Sequence, residues 1–373
     1  MKMSESLIAI TMPKWGLAMK EGAILQWLKN EGDEVKKGEI LVEIETDKVV
    51  NEMESPEDGR LLKKCVETDI RVPVGSLIAV YGNENISDED IEKFISEFKE
   101  NFVVEDDESG SEKDKYEKIT LGEIEINFSK IGEEKEKNIL FIHGFGGDLN
   151  NWMFNQEDLS KDYNTFAIDL PGHGQSSKNV TDGSLKNMAK IVNDFCAQNN
   201  ITKVKLVGHS YGAGIAIQTA SDFKDLIESL TLISPIGLGK EIDSSYLENF
   251  ITAESRRDLK PVLEKLYNNS DIITRDMVNE VLNYKRIDGV ESSLKNMKDE
   301  IVKSDLQNND LKDILNLLDI PVSIVWGKDD NIIPSNHSEK LNEKILVEVI
   351  ESCGHMAHTE HASKVNEVIK KTN

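Results

Sequence analysis

Two groups of residues in this chain of 373 could do chemistry, and they differ in kind. Glu45-Thr46-Asp47-Lys48-Val49 offers a primary amine between two short apolar alternations, as a carrier lysine does. Gly208-His209-Ser210-Tyr211-Gly212 offers a hydroxyl between the apolar run Val204 to Val207 and the helical pattern Ala213 to Ala220. A serine on a sharp strand-to-helix turn, with small residues on both sides, stands exposed for attack on acyl carbonyls, and backbone donors at the helix start lie beside it. Its hydroxyl is a weak nucleophile until a base takes the proton. The candidate bases are seven histidines: His143, His173, His209, His337, His355, His358 and His361. A carrier of acyl groups and an enzyme that handles them make sense on one polypeptide.

The elements around the lysine are written twice. Across residues 1–82, Gly22, Leu25, Val35, Gly38, Ile40 and Leu41 recur 37 positions later as Gly59, Leu62, Val72, Gly75, Leu77 and Ile78. Each copy alternates short apolar runs with Gly, Pro and Asp, the pattern of short strands and tight turns, which predicts an all-β flattened sandwich of two similar halves. Ile40, Val42 and Ile44 are expected on one face of a strand running into Thr46-Asp47-Lys48, and Val49 to Met53 leads away, so Lys48 falls at a hairpin tip. The segment resembles the lipoyl domains of 2-oxo-acid and acetoin dehydrogenase complexes. The likeness runs through Met12-Pro13, Met19, Glu21-Gly22, Gly32-Asp33, Gly38, the Lys48 motif, Ser55-Pro56, Gly59 and Val72-Pro73-Val74-Gly75. It implies lipoic acid in amide linkage on Lys48. A biotin carrier would show Met-Lys-Met at the tip, and here that tripeptide stands at positions 1 to 3. Asp69 departs from the pattern, standing where its repeat partner Gly32 leads one to expect glycine.

From Asn83 to Lys115 the chain turns strongly acidic, and such a segment cannot bury enough apolar surface to fold alone. Residues 83–115 therefore read as an acidic linker. Inside it, Ser87 with Asp90 resembles a capping pair, and Ile91, Phe94, Ile95, Phe98 and Phe102 fall on one helical face. The expectation is that this helix packs on the domain that follows; the alternative is a docking helix for a partner enzyme.

From residue 116 to 373, strands and helices alternate. Ile139 to Ile142, Thr165 to Asp169, Val204 to Val207, Ser229 to Ile233, Val322 to Trp326 and Leu346 to Ile350 read as strands of a mainly parallel sheet with helices on both faces. The stretch from about 237 to 316 lacks strand alternation and reads as a helical cap. The order and spacing of the motifs resemble the α/β-hydrolase fold. That resemblance implies a triad of Ser210 as nucleophile, His355 after Gly354 as base, and an acid from Trp326-Gly327-Lys328-Asp329-Asp330, where the family spacing selects Asp330 over Asp329. It also implies that His143-Gly144-Phe145-Gly146-Gly147 gives one oxyanion donor, the N–H of Phe145, with the N–H of Tyr211 as the second. His143 is expected to brace its loop, Asp169-Leu170-Pro171-Gly172-His173-Gly174 to be a fold signature without chemistry, and His209, His358 and His361 to lie outside the catalysis, the last two at the surface or behind the site. In Glu254-Ser255-Arg256-Arg257-Asp258-Leu259-Lys260, positive charge gathers in an acidic protein. A solvated helix face is the plain explanation; receipt of coenzyme A phosphates by Arg256, Arg257 and Lys260 is the other.

The two domains together resemble the dihydrolipoamide acetyltransferase component of bacterial acetoin dehydrogenase complexes. Phe145 to Trp152 and Ala253-Glu254-Ser255-Arg256-Arg257 carry the local likeness. The resemblance implies that a thiamine-diphosphate-dependent enzyme cleaves acetoin and loads acetyl on the lipoyl arm, that this protein passes it to coenzyme A, and that a dihydrolipoyl dehydrogenase reoxidises the arm. The usual acyltransferase signature His-x-x-x-Asp-Gly occurs at none of the seven histidines, so transfer falls to Ser210. A lipoyl-bearing thioesterase or carboxylesterase, and a lipoyl carrier with an inert hydrolase-like scaffold, stay open as alternatives. A net charge of −25 argues against nucleic acid or an anionic membrane as partner. Cys65, Cys196 and Cys353 are too few and scattered for a disulfide framework or metal site and suit a reducing compartment. The apolar stretch Leu7 to Ile10 is too short for a signal peptide. The expectation is a cytoplasmic protein, with a homo-oligomer left open.

Overall fold

The computed structural model describes residues 7–13, 21–45, 50–82, 86–101, 116–132 and 135–372. The chain divides into two compact units, Met1–Ser111 and Glu112–Asn373.

The first unit contains β1 (Ile8–Thr11), β2 (Glu21–Trp27), β3 (Glu34–Val35), β4 (Ile40–Glu45), β5 (Val50–Glu54), β6 (Gly59–Lys64), β7 (Arg71–Pro73) and β8 (Leu77–Gly82). They make two antiparallel four-stranded sheets, ordered β1-β8-β6-β3 and β5-β4-β2-β7. The offset read from the sequence carries β2, β3 and β4 onto β6, β7 and β8, so one sheet is the repeat image of the other. The same holds in the core, where Ile24, Leu41 and Ile44 meet their counterparts Leu61, Ile78 and Tyr81, all fully buried. The turn at Asp69 keeps its form: Asp69 adopts φ +63° and its N–H donates to Ile24 O at 2.7 Å, as Gly32 does to Leu61 O at the same distance with φ +97°. Asp is among the few non-glycine residues that enter this left-handed region.

Two expectations are corrected here. Ile40 does not share the inner face with Val42 and Ile44. Ile40 pairs with Glu54 and Val42 with Met53, leaving Leu41 as an extra residue that turns into the core while Ile40 stays 36% exposed. Such a bulge breaks the period of two. The helix α1 (Asp88–Asn101) also packs elsewhere than expected. It is capped by Ser87, whose Oγ bonds Asp90 Oδ2 at 2.6 Å and accepts the Asp90 N–H, and it lays Ile91, Phe94, Ile95 and Phe98 on Leu62, Cys65, Leu77 and Val80 of the first unit. A short connection from β8 delivers the stripe to a neighbouring apolar sheet face, which buries it. Phe102, Met19 and the whole stretch Thr46 to Val49, Lys48 included, lie outside the described residues.

In the second unit the strands are β9 (Glu117–Leu121), β10 (Ile124–Ile131), β11 (Asn138–Ile142), β12 (Asn164–Ile168), β13 (Val204–His209), β14 (Ile227–Ile233), β15 (Val302–Lys303), β16 (Leu306–Gln307), β17 (Val322–Gly327) and β18 (Leu346–Ile350). The helices are α2 (Met153–Leu159), α3 (Leu185–Gln198), α4 (Tyr211–Asp222), α5 (Ser244–Thr252), α6 (Arg256–Glu264), α7 (Arg275–Lys285), α8 (Val290–Ile301), α9 (Lys312–Asn316), α10 (Ala357–Glu360) and α11 (Ala362–Lys371). Eight strands form one sheet, β18-β17-β14-β13-β11-β12-β10-β9, parallel from β18 to β12 and antiparallel at β10 and β9. Its central strands are buried on both faces, which is why they read as continuous apolar runs. Leu140, Ile142 and Leu206 pack on α3 and α4, whereas Ile139, Phe141 and Val207 pack with Trp152, Val365 and Ile369. The expected cap is α5 to α9, interrupted by the hairpin β15-β16, whose two-residue strands are too short to leave a period in the sequence.

Candidate active site

After β11 the chain steps to β12 on one side, then returns to β13 on the other. Ligands in open α/β sheets bind at the carboxyl ends of strands at such a switch point, and Phe145 and Ser210 follow these two strands. Ser210 sits between β13 and α4 with φ +52° and ψ −112°, a conformation that non-glycine residues seldom adopt. Neighbouring glycines permit the turn. A Cβ on Gly208 would press on Gly212 O and Ala213, and one on Gly212 would run into the carbonyl oxygens of Ile142 and His143. The strain holds the serine at the surface of a cavity instead of in a strand or helix.

The structure brings His355 and Asp330 together. His355 Nδ1 lies 2.8 Å from Asp330 Oδ2, and both side chains are almost wholly buried. Asp330 is held in turn by Trp326 Nε1 at 3.1 Å and by the N–H groups of Ile332 and Ile333 at 2.8 and 2.9 Å. Burial pushes its carboxyl up, but the His355 charge and these hydrogen bonds outweigh it and hold the group below its ordinary value. Asp329 is exposed and takes no part in this contact. Ser210 and His355 line one cavity of 110 Å³, without a hydrogen bond between them among the described residues. Such contacts often tighten only when substrate binds.

Two side chains left outside the site at the sequence level, His209 and Glu360, hold it. His209 is 4% exposed and its Nε2 lies 3.1 Å from His355 O. Glu360 accepts the N–H of Gly354 at 2.7 Å and that of Asn268 at 2.9 Å, clamping the His355 loop to the segment after α6. Neither role leaves a signal in the sequence, because both act through backbone atoms of distant residues. His358 corrects its expectation in part. It lies behind the site but is fully buried, against Trp152 and His209 with ring centroids 4.4 and 4.6 Å away, and burial pushes its imidazole down to about 3. His361, only partly exposed, approaches Ser352 O at 3.4 Å. His143 braces its loop as expected, with Nδ1 2.7 Å from Gly144 O and Nε2 accepting the Leu170 N–H at 2.9 Å. His173 Nε2 accepts the Gly146 N–H at 3.1 Å, and Asp169 accepts that of Leu149 at 2.8 Å. Burial lowers both imidazoles, which keeps them neutral and able to accept. The loop after β12 thus props the glycine-rich loop after β11, in which Phe145 N–H donates no backbone hydrogen bond among the described residues, and Tyr211 opens α4 with an N–H that the helix cannot satisfy.

The cap closes the cavity with apolar side chains, among them Leu247, Phe250, Leu263, Met277 and Val281. Arg256, Arg257 and Lys260 do not line it. They stand exposed at the start of α6, with Lys260 paired to Glu264 at 3.6 Å. Among the described residues, no cluster of three His, Cys, Asp or Glu is arranged for a metal, and no helix is long and apolar enough to cross a membrane.

Comparison with known proteins agrees with this fold. Residues 137–362 match the family model described as alpha/beta hydrolase fold, and residues 8–81 match the model described as biotin-requiring enzyme. A meta-cleavage product hydrolase from Pseudomonas fluorescens superposes with a TM-score of 0.61 over 69% of this chain and 96% of its own, at 19% identity. The class is therefore a carrier domain of the biotin/lipoyl type joined to an α/β hydrolase unit. Over 372 residues, 99% of this chain and 98% of the relative, it is 37% identical to the dihydrolipoyllysine-residue acetyltransferase component of the acetoin cleaving system of Cupriavidus necator. The Pseudomonas putida protein of the same name is 36% identical over 96% of each chain. The chain belongs to this family of acetyltransferase components.

Proposed function

We propose that the second unit moves an acetyl group from a thioester carried at Lys48 to coenzyme A by way of an ester on Ser210. The observation that carries this reading is the buried His355–Asp330 pair, which opens on the same cavity as the strained Ser210. Lipoate in amide linkage on Lys48 would supply the thiol that bears the acyl group. Lys48 suits that attachment because its neighbours belong to paired strands, with Glu45 opposite Val50 and Glu45 exposed.

In the reaction, Ser210 Oγ attacks the thioester carbonyl while His355 Nε2 takes its proton. The N–H groups of Phe145 and Tyr211 receive the negative charge on the carbonyl oxygen, and Asp330 stabilises the imidazolium. The proton passes to the departing thiolate. Coenzyme A then gives its thiol proton to His355, attacks the ester and leaves as acetyl-coenzyme A, and His355 returns the proton to Ser210. The apolar cap disfavours water as the competing acceptor at the ester stage. Arg256, Arg257 and Lys260 would meet the coenzyme phosphates from the exposed start of α6, the helix whose Leu263 reaches the cavity wall. Family membership supports an acetoin-cleaving thiamine-diphosphate enzyme as the source of acetyl and a dihydrolipoyl dehydrogenase as the oxidant of the arm.

The test feeds S-acetyl-dihydrolipoamide to wild type and Ser210→Ala with and without coenzyme A. Acetyl-coenzyme A from the wild type alone is the expected result. Rapid acetate release without coenzyme A would make the protein a thioesterase, and an unchanged Ser210→Ala would make the second unit a scaffold. Intact mass from a lipoate-replete host should show one lipoyl increment that Lys48→Arg abolishes.

A further inference from the structure

The cavity at Ser210 is larger and more apolar than an acetyl group requires. An acetyl ester presents one methyl beyond its carbonyl. A single water needs about 10–15 Å³ of cavity space, so 110 Å³ holds several methyl-sized groups. The wall is built for such groups: Leu247 and Phe250 of α5, Met277 and Val281 of α7 and Ile301 of α8 face it from three cap helices. Two phenols, Tyr246 and Tyr267, are set into this apolar wall. Tyr246 lines the cavity and is 4% exposed, with the Tyr267 phenol as its electrostatic neighbour. A phenol hydroxyl on such a wall can donate a hydrogen bond to an oxygen on a bound molecule.

We propose that the site accepts short-chain acyl groups longer than acetyl, of about four to six carbons, and that Tyr246 hydrogen-bonds an oxygen carried on such a chain, as in a 3-hydroxyacyl group. The inference rests on the acyl-Ser210 reading and names the acyl class that the same serine takes. It assigns the apolar wall a purpose that acetyl alone does not, since a methyl group buries only a small part of that surface.

The experiment uses the full chain with S-acyl-dihydrolipoamides bearing acetyl, butyryl, 3-hydroxybutyryl and decanoyl groups, reading kcat/KM and the adduct on Ser210 by intact mass. Butyryl should equal or exceed acetyl, decanoyl should fall at least tenfold below butyryl, and 3-hydroxybutyryl should lead butyryl by a margin that Tyr246→Phe removes. Val281→Phe, which narrows the cavity, should shift the optimum back to acetyl. A tenfold or greater preference for acetyl over butyryl in the wild type would overturn the inference while leaving the acetyl-Ser210 adduct intact. A 3-hydroxybutyryl value unmoved by Tyr246→Phe would remove the tyrosine from it. Absence of any adduct with every donor would instead sink the serine mechanism itself, and this inference with it.

Discussion

The two units hold their reactive residues in opposite ways. In the first, β4 and β5, neighbours in sequence that pair directly, flank the segment that contains the proposed attachment lysine. In the second, Phe145, Ser210, Asp330 and His355 follow β11, β13, β17 and β18, and their convergence depends on the whole sheet. In the proposed function the carrier's chemistry falls to an attached group that reaches outward, for which local strand pairing suffices. Proton transfer and charge stabilisation require groups held within tenths of an ångström, and only a packed, water-poor interior with fixed partners achieves it. The difference teaches that damage to one site should be felt as loss of attachment or local stability, and damage to the other as loss of rate.

The largest expected effect tests the second half of that contrast. Asp330→Asn leaves the shape of the Trp326, Ile332 and Ile333 contacts but presents the wrong partner to His355 Nδ1, and kcat for acyl transfer should drop by about 10³–10⁴-fold. A drop under tenfold, measured on a folded variant, would mean that the second unit does not rely on this pair. Next, Ile95→Asp puts a charge under α1 and should destabilise the first unit by about 2–4 kcal/mol. In calorimetry of the full chain only one of the two transitions should move. Movement of the larger unit's transition would show that α1 serves the second unit after all.

A smaller effect concerns pH. Asp148 caps the turn Leu149–Trp152, with Oδ1 accepting the Asn150 N–H at 2.8 Å, and burial next to Asp169 pushes it up to about 6. Its unfolded value is about 3.9, so between roughly pH 4 and 6 the folded chain binds more protons than the unfolded one, and stability falls as pH rises through that window. Asp148→Asn keeps a capping oxygen and removes the titration. Relative to wild type the variant should gain denaturant resistance as pH goes from 4 to 7, and a constant difference across that range would contradict the assignment. The smallest effect belongs to the first unit. Asp69→Gly relieves a left-handed residue and should stabilise that unit by about 0.5–1 kcal/mol, visible as a small rise in its unfolding temperature.

Much of this molecule was legible before any coordinates. The repeat fixes which strands of the first unit correspond, because each copy must bury the same alternation against the other, and the glycines around Ser210 announce a turn too crowded for side chains. The order of Ser210, Asp330 and His355 follows from a family pattern and not from their separation along the chain. What stayed hidden were interactions made by backbone atoms or by a change of register. The bulge at Leu41 puts Ile40 outside, and no period reveals an inserted residue. His209 meets the main chain of His355 from far away in sequence, and Glu360 ties the His355 loop to the main chain of Asn268, where side-chain identity carries no record of the partner.

The sequence by itself determined the repeated β unit, the alternating second unit and the types of group available for chemistry, since those depend on local alternation, turn residues and amphipathic faces. Tertiary structure alone decided that α1 covers its own sheet, that Glu360 and His209 hold the His355 loop, and which cap side chains enclose the space around Ser210. These are outcomes of competition among surfaces and of distances between remote segments, and both quantities exist only once the chain has packed.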